Sequence, residues 1–182
     1  ISAAEFALKY ASRDWELNYL AGKACMKEGL LSRAGQFLKA SLAIKPVSKV
    51  YYAMAETYAG QMKWTKAIEN YDKVKDDFSD KGSFFVKFAY AYLMHVPKDA
   101  EKFHGKKEEK SYLAALASAD ALLKHAKTLK DTKLETVAKY NVMLLNKKER
   151  LEKGATYKQT TTYVLDPEIG KMIPVETTVE DK

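Results

Sequence analysis

The chain has 182 residues, 47% of them hydrophobic, with 31 Lys and Arg against 24 Asp and Glu for a net charge of +7. That length suffices for one domain with a real core, and that hydrophobicity excludes wholesale disorder. No run of eighteen apolar residues occurs, which excludes a membrane-spanning helix, and the single cysteine, Cys25, excludes an internal disulfide.

The chain begins at Ile1 rather than Met, as a processed product or an excised fragment would. Ser2-Ala3-Ala4-Glu5 has the serine and glutamate of a capping box, and Phe6, Leu8, Tyr10 and Ala11 follow in a short predicted helix. Two readings of this helix stand: the second half of a repeat begun upstream, or a simple N-terminal cap. Asp14 can cap the next helix, Trp15 to Lys27, in which Leu17, Leu20, Ala21, Ala24 and Cys25 recur at helical spacing. Cys25 falls on the packing face and reads as a small core residue. Glu28-Gly29 predicts a turn. Leu31 to Ile44 follows as a helix with Ala34, Phe37, Leu38, Ser41 and Leu42 inward, ended by Pro46, which cannot continue it.

Ser48 is expected to cap a helix reaching about Ala59. Its partner runs from Trp64 to Asp77 across a turn at Gly60-Gln61-Met62, with Trp64 covering the end of the hairpin's core. Ser83 opens a strongly apolar helix: Phe84, Phe85, Val86, Phe88, Ala89, Tyr90, Tyr92 and Leu93. Pro97 interrupts it and a charged stretch, 98–110, follows. Apolar periodicity resumes at Tyr112 with Ala115, Leu116, Ala119, Leu122, Leu123 and Ala126. A last helix, Thr132 to Lys153, carries Leu134, Val137, Ala138, Leu144, Leu145 and Leu151 on one face, and Lys147, Lys148, Glu149, Arg150, Glu152 and Lys153 on the other. Gly154 is placed to end it.

Beyond Gly154 the composition turns to threonine, valine and tyrosine. Residues 160–165 and 171–179 read as strands joined by a turn at 166–170, with Ile173, Val175, Thr177 and Val179 on one face and Pro174 confining its strand to an edge. A lone two-stranded hairpin is marginal in water. The tail therefore docks on the helical body or on a partner's sheet, through Tyr163, Leu165, Ile173 and Val175, or stays a free end.

A spacing pattern ties the helices together. Gly22 and Ala34 are twelve residues apart, and so are Ala55 and Ala67, with an offset of 33 between the pairs. Cys25 follows Gly22 by three as Tyr58 follows Ala55, and Leu38 follows Ala34 by four as Tyr71 follows Ala67. Small side chains where two helices cross, at a period of about 34, are the skeleton of the tetratricopeptide repeat, and the chain resembles a protein of that family. Two repeats, near 15–45 and 48–81, carry the resemblance. Cys25 departs from it where tyrosine is usual, and Ser79 where proline is common. In a third, near 82–127, Ala89 holds the small-residue position, but Glu101, twelve later, cannot be its partner. That repeat is read with an insertion of about a dozen residues in its turn, expected at the surface.

The resemblance implies an all-α fold: an α-solenoid of about three helical hairpins in a single domain, 1–154, closed by a capping helix at 132–153 and followed by an extended or hairpin-like tail, 155–182. It also implies a concave groove lined by the first helix of each pair. Mapped onto this sequence, the groove holds Tyr19, Lys23 and Met26, then Lys49, Tyr52 and Glu56, then Val86, Tyr90 and Leu93. Repeat proteins that clamp acidic chaperone tails use lysine and asparagine at fixed groove positions. Here those positions hold Tyr19 with Lys23 and Tyr52 with Glu56, so no such clamp is expected.

No catalytic signature is present. His95, His104 and His125 lie far apart and fit no metal spacing, and the eight glycines are scattered rather than gathered in a phosphate loop. The chain is expected to be no enzyme and to need no cofactor or metal. Charge is uneven: +3 over 1–46, +1 over 47–97, +5 over 98–153 and −2 over 154–182. The basic half favours an acidic partner surface. The expected function is protein–protein interaction, as an adaptor or a subunit of a larger assembly. The alternatives are a nucleic-acid binder using Lys106-Lys107-Lys110 and Lys147-Lys148-Arg150, and a purely structural subunit. Acids interleave with these basic clusters and arginine is scarce, which weighs against nucleic acid.

Overall fold

A computed structural model describes the backbone of residues 14–154, 157–166 and 171–180, and the side chains of 14–154. The predicted N-terminal helix and the turn residues 167–170 lie outside the described residues. The class is all-α. Two helical hairpins pack on one another in a repeat-like arrangement, a third hairpin and a further helix come later in the chain, and a two-stranded hairpin comes last. The chain divides into two compact units, Ile1–Phe78 and Ser79–Lys182. The division falls inside what the sequence suggested as one helical domain, and it puts the C-terminal hairpin in the second unit.

The first unit contains α1 (Trp15–Lys27), α2 (Leu31–Ile44), α3 (Ser48–Gly60) and α4 (Trp64–Asp72). α1 pairs with α2 and α3 with α4, while α3 also packs on α2 and α1. Asp14 caps α1, its Oδ1 accepting from the amides of Glu16 (2.7 Å) and Leu17 (3.2 Å). Gly22, Ala34, Ala55 and Ala67 are all buried, so the small residues do sit at the crossings. The fit at Gly22 is tight: a β-carbon there would lie 2.7 Å from Leu38 Cγ. Cys25 is wholly buried, and burial pushes its thiol pKa up.

Both hairpins turn by the same device, 33 residues apart. The amides of Gly29 and Leu30 bond back to the carbonyls of Met26 (3.1 Å) and Cys25 (2.8 Å); those of Met62 and Lys63 bond back to Ala59 and Tyr58 (both 2.9 Å). This is the Schellman ending, in which one residue takes a left-handed conformation. Gly29 does so at φ 76°, and Met62 does so at φ 59° despite its side chain. Two expectations are corrected. Val47, not Ser48, holds the N-cap position of α3 and makes no side-chain capping bond, and the Ser48 hydroxyl instead donates to Asp77 (2.5 Å). α4 ends at Asp72 rather than Asp77, giving way to turns closed by i,i+3 bonds from Val74 and Asp77.

The second unit contains α5 (Gly82–His95), a 3-10 turn (Ala100–Phe103), α6 (Glu109–Lys127), α7 (Leu134–Lys153), β1 (Tyr157–Asp166) and β2 (Lys171–Glu180). α5 packs on both α6 and α7. It is apolar on nearly every side, as a helix enclosed by neighbours must be: Phe84, Phe85, Val86, Phe88, Ala89, Ala91 and Leu93 are all buried. Its N-terminus is capped from far along the chain. The Asp131 carboxylate accepts from the Gly82 amide (2.6 Å) and from the Ser83 hydroxyl (2.9 Å), and these bonds hold its pKa below the usual carboxylate value. The approach leaves no room at Gly82, where a β-carbon would lie 1.7 Å from Thr132 Oγ1.

The stretch expected as a surface insertion does lie at the surface, with Lys98, Lys102, Lys106, Lys107 and Lys110 exposed, and it is strapped onto α7. Lys147 Nζ donates to the carbonyls of Val96 and Pro97 (3.0 Å for Pro97), and Arg150 Nη1 donates to that of Lys98 (2.8 Å). The His104 ring nitrogen meets the Leu151 carbonyl at 2.8 Å, and Ala100 is fully buried. Two cations of α7 thus hold the carbonyls of the three residues that follow α5, Val96, Pro97 and Lys98. β1 and β2 pair antiparallel from Tyr157 opposite Glu180 to Asp166 opposite Lys171, and β2 runs beside α7.

Met62 carries the clearest local strain. It is 76% exposed, so its side chain contributes little packing where it stands. Met62→Gly is expected to raise stability by about 0.5–1 kcal/mol in urea unfolding, the left-handed penalty exceeding glycine's entropy loss.

Candidate functional site

α1 and α3 lie side by side in the first unit, and the residues read as groove-lining recur along each at one per turn. The structure brings six of the nine together. Lys23 Nζ stands 3.8 Å from Glu56 Oε2 across the two helices. Lys49 reaches from α3 to α1, where it pairs with Glu16 (3.2 Å) and lies over the rings of Trp15 (4.7 Å) and Tyr19 (5.1 Å). Tyr52 packs against Phe78, ring centroids 5.0 Å apart, and against Tyr71. Tyr19 and Met26 are half-buried, their bodies resting on a core of Leu38, Val50, Ala53 and Met54. Burial, with the Glu56 charge second, raises the pKa of the Tyr71 hydroxyl strongly, so Tyr71 acts here as a neutral packing residue.

Between the two helices lies an open cleft of about 580 Å³, lined by Lys23, Ala24, Met26, Lys27 and Glu56. The face combines ring surfaces, an adaptable thioether and charges of both signs. Glu56 offsets Lys23 at the position where an acidic tail would need an unopposed cation. Such a surface suits a peptide of mixed character, because rings offer contact area with few torsions to freeze and the paired charges set register.

The other three residues lie elsewhere. Val86 is 9% exposed and Leu93 0%, both within the core of the second unit, and Tyr90 stacks on Tyr140 with centroids 5.0 Å apart. In that unit α5 has α7 as well as α6 against it, so the helix face that would line a groove is covered. The tail residues Tyr163, Leu165, Ile173 and Val175 have strand backbones, facing Pro174, Met172, Val164 and Thr162. Their side chains lie outside the described ones.

Trp15 and Glu16 belong to the α1–α3 face and were not among the groove candidates. Trp15 could have been found, since it stands four residues before Tyr19 on the same stripe of α1. Phe78 could not, because it reaches Tyr52 from a turn beyond α4.

No protein-family model matches this chain, and no curated protein matches it.

Lys49 makes its contacts from an exposed position. Exposed cation–π contacts and surface ion pairs each contribute little. Lys49→Ala should therefore cost less than about 1 kcal/mol in urea unfolding. A loss above about 2 kcal/mol would make Lys49 a structural residue rather than a recognition residue.

Proposed function

We propose that this chain is a tetratricopeptide-like interaction scaffold, an adaptor or assembly subunit without catalytic chemistry of its own. It takes a peptide segment of a partner protein on the α1–α3 face. The observation that carries this reading is the convergence of Tyr19, Lys23, Met26, Lys49, Tyr52 and Glu56, from helices 33 residues apart in phase, on one face with an open cleft. The repeated crossings and the repeated turn support the family resemblance from the side of geometry. The tail hairpin belongs to the same reading as a second docking element. The nucleic-acid alternative gains nothing from the contacts: Lys148 pairs with Glu152 (3.8 Å), and Lys147 and Arg150 are tied into one small cleft.

A random peptide library displayed on phage and panned against the full chain tests this. The expected result is enrichment of a shared motif whose synthetic peptide binds the chain. That binding should fall at least about tenfold on Tyr19→Ala or Lys49→Ala, a tenfold change being about 1.4 kcal/mol. No enrichment over the bare support, or enriched peptides indifferent to both substitutions, would overturn the proposal.

A further inference from the structure

The second unit holds a separate cleft of about 360 Å³ along α7, faced by the end of α5. Lys139, Val142, Met143, Asn146, Lys147 and Arg150 form one stripe of α7, and Met94 and Lys98 close the opposite side. Its chemistry is lopsided. Lys98, Lys139, Lys147 and Arg150 bring four positive charges, and no carboxylate is among the lining residues. Of the nearby acids, Asp99 pairs with Lys102 at 2.8 Å, and Glu101 pairs with Arg150 at 4.0 Å and offsets part of that one charge. Met94, Val142 and Met143 supply an apolar floor between the cations.

Lys147 makes the arrangement unusual. It is 8% exposed, and two backbone carbonyls fix its ammonium, which leaves a third N–H for a ligand. A buried ammonium close to two other cations is costly by itself. Burial, then the charges of Arg150 and Lys98, push its pKa down to about 8, with Asp99 opposing. A carboxylate entering the cleft would relieve that cost, and a neighbouring aliphatic side chain would cover the methionines, whose flexible thioethers adapt to varied shapes.

We propose that this cleft binds an acidic peptide segment of a partner protein, holding a carboxylate between Lys139, Lys147 and Arg150 and an adjacent apolar side chain on Met94, Val142 and Met143. A nucleic-acid backbone would leave the apolar floor unmatched, and the cleft is the size of one or two side chains rather than a duplex. The proposal goes beyond the α1–α3 reading and does not depend on it. Every variant in its test lies in the second unit, so the two can fail separately.

The test is fluorescence anisotropy on the full chain with a labelled short peptide alternating glutamate with leucine and methionine. Its glutamine counterpart and a uridine-rich RNA oligonucleotide are run beside it. The acidic peptide is expected to bind, and the glutamine peptide to bind at least about tenfold more weakly. Lys139→Glu, at an exposed position, should lower acidic-peptide affinity at least about tenfold, while Lys124→Glu, a charge change on α6 away from the cleft, should not. Lys147, faced by Lys98, Asp99, Glu101, Lys139 and Arg150, has its pKa pushed down to about 8, so it loses its charge as the pH rises through that value. Affinity should therefore fall about three- to tenfold between pH 7 and 9.5, and Lys147→Met should flatten that profile. Several results would overturn the proposal: no binding of the acidic peptide at millimolar concentration, equal binding of the glutamine peptide, tighter binding of the RNA, indifference to Lys139→Glu, or a pH profile unchanged by Lys147→Met.

Discussion

The close crossing of paired helices is the constraint on which the first unit depends. Two helices can approach at Gly22 because glycine presents no side chain, and Leu38 fills that space from α2. The approach brings Ala34, Phe37 and Cys25 into one cluster, and the next layer of Leu38, Val50, Ala53 and Met54 builds on it. Once the crossing is fixed, the short Schellman turn follows, because the helix ends are near enough for a three-residue return. Gln61 then reaches from the second turn to the Leu31 carbonyl (2.9 Å) and ties the two turns together. The α1–α3 face is a by-product of this geometry. α1 and α3 emerge in parallel phase, so residues 33 apart in sequence stand side by side.

The second unit solves a different problem with the same elements. α5 is too apolar to leave a face in water, and α6 and α7 enclose it. The chain leaves α5 at Val96 and Pro97, and Lys147 and Arg150 of α7 hold the carbonyls of that exit segment. A lysine ammonium held there fastens the segment and also leaves a positive charge at the edge of an apolar cleft.

Much of this was legible in the sequence, for physical reasons. α1 and α2 begin and end where Asp14, Gly29 and Pro46 dictate, because capping, left-handed turns and proline act locally. The crossings were legible because only small residues fit there. What failed needed distant information. Asp131 caps α5 from 48 residues away, and nothing near Ser83 announces it. Val86 and Leu93 were placed on a groove by extending the phase of the first two hairpins, but α7 covers that face of α5. The apolar character of α5 on every side was the available signal. Lys147 read as part of a solvated charged face, since the sequence shows its charge and not the carbonyls that draw it inward. Met62 stands where the first turn uses glycine, so its left-handed backbone follows from the repeat rather than from the residue.

The claim that the small residues are there for close approach has a direct measurement: the unfolding free energy of Gly22→Ala. In an exposed helix that change stabilises by about 1 kcal/mol. At this crossing the added methyl would lie 2.7 Å from Leu38 Cγ, in a side chain with no exposed surface into which to retreat. Destabilisation of about 1–3 kcal/mol is expected, and in a Leu38→Ala background, itself destabilised, Gly22→Ala should cost less. A Gly22→Ala chain more stable than its parent would contradict the claim.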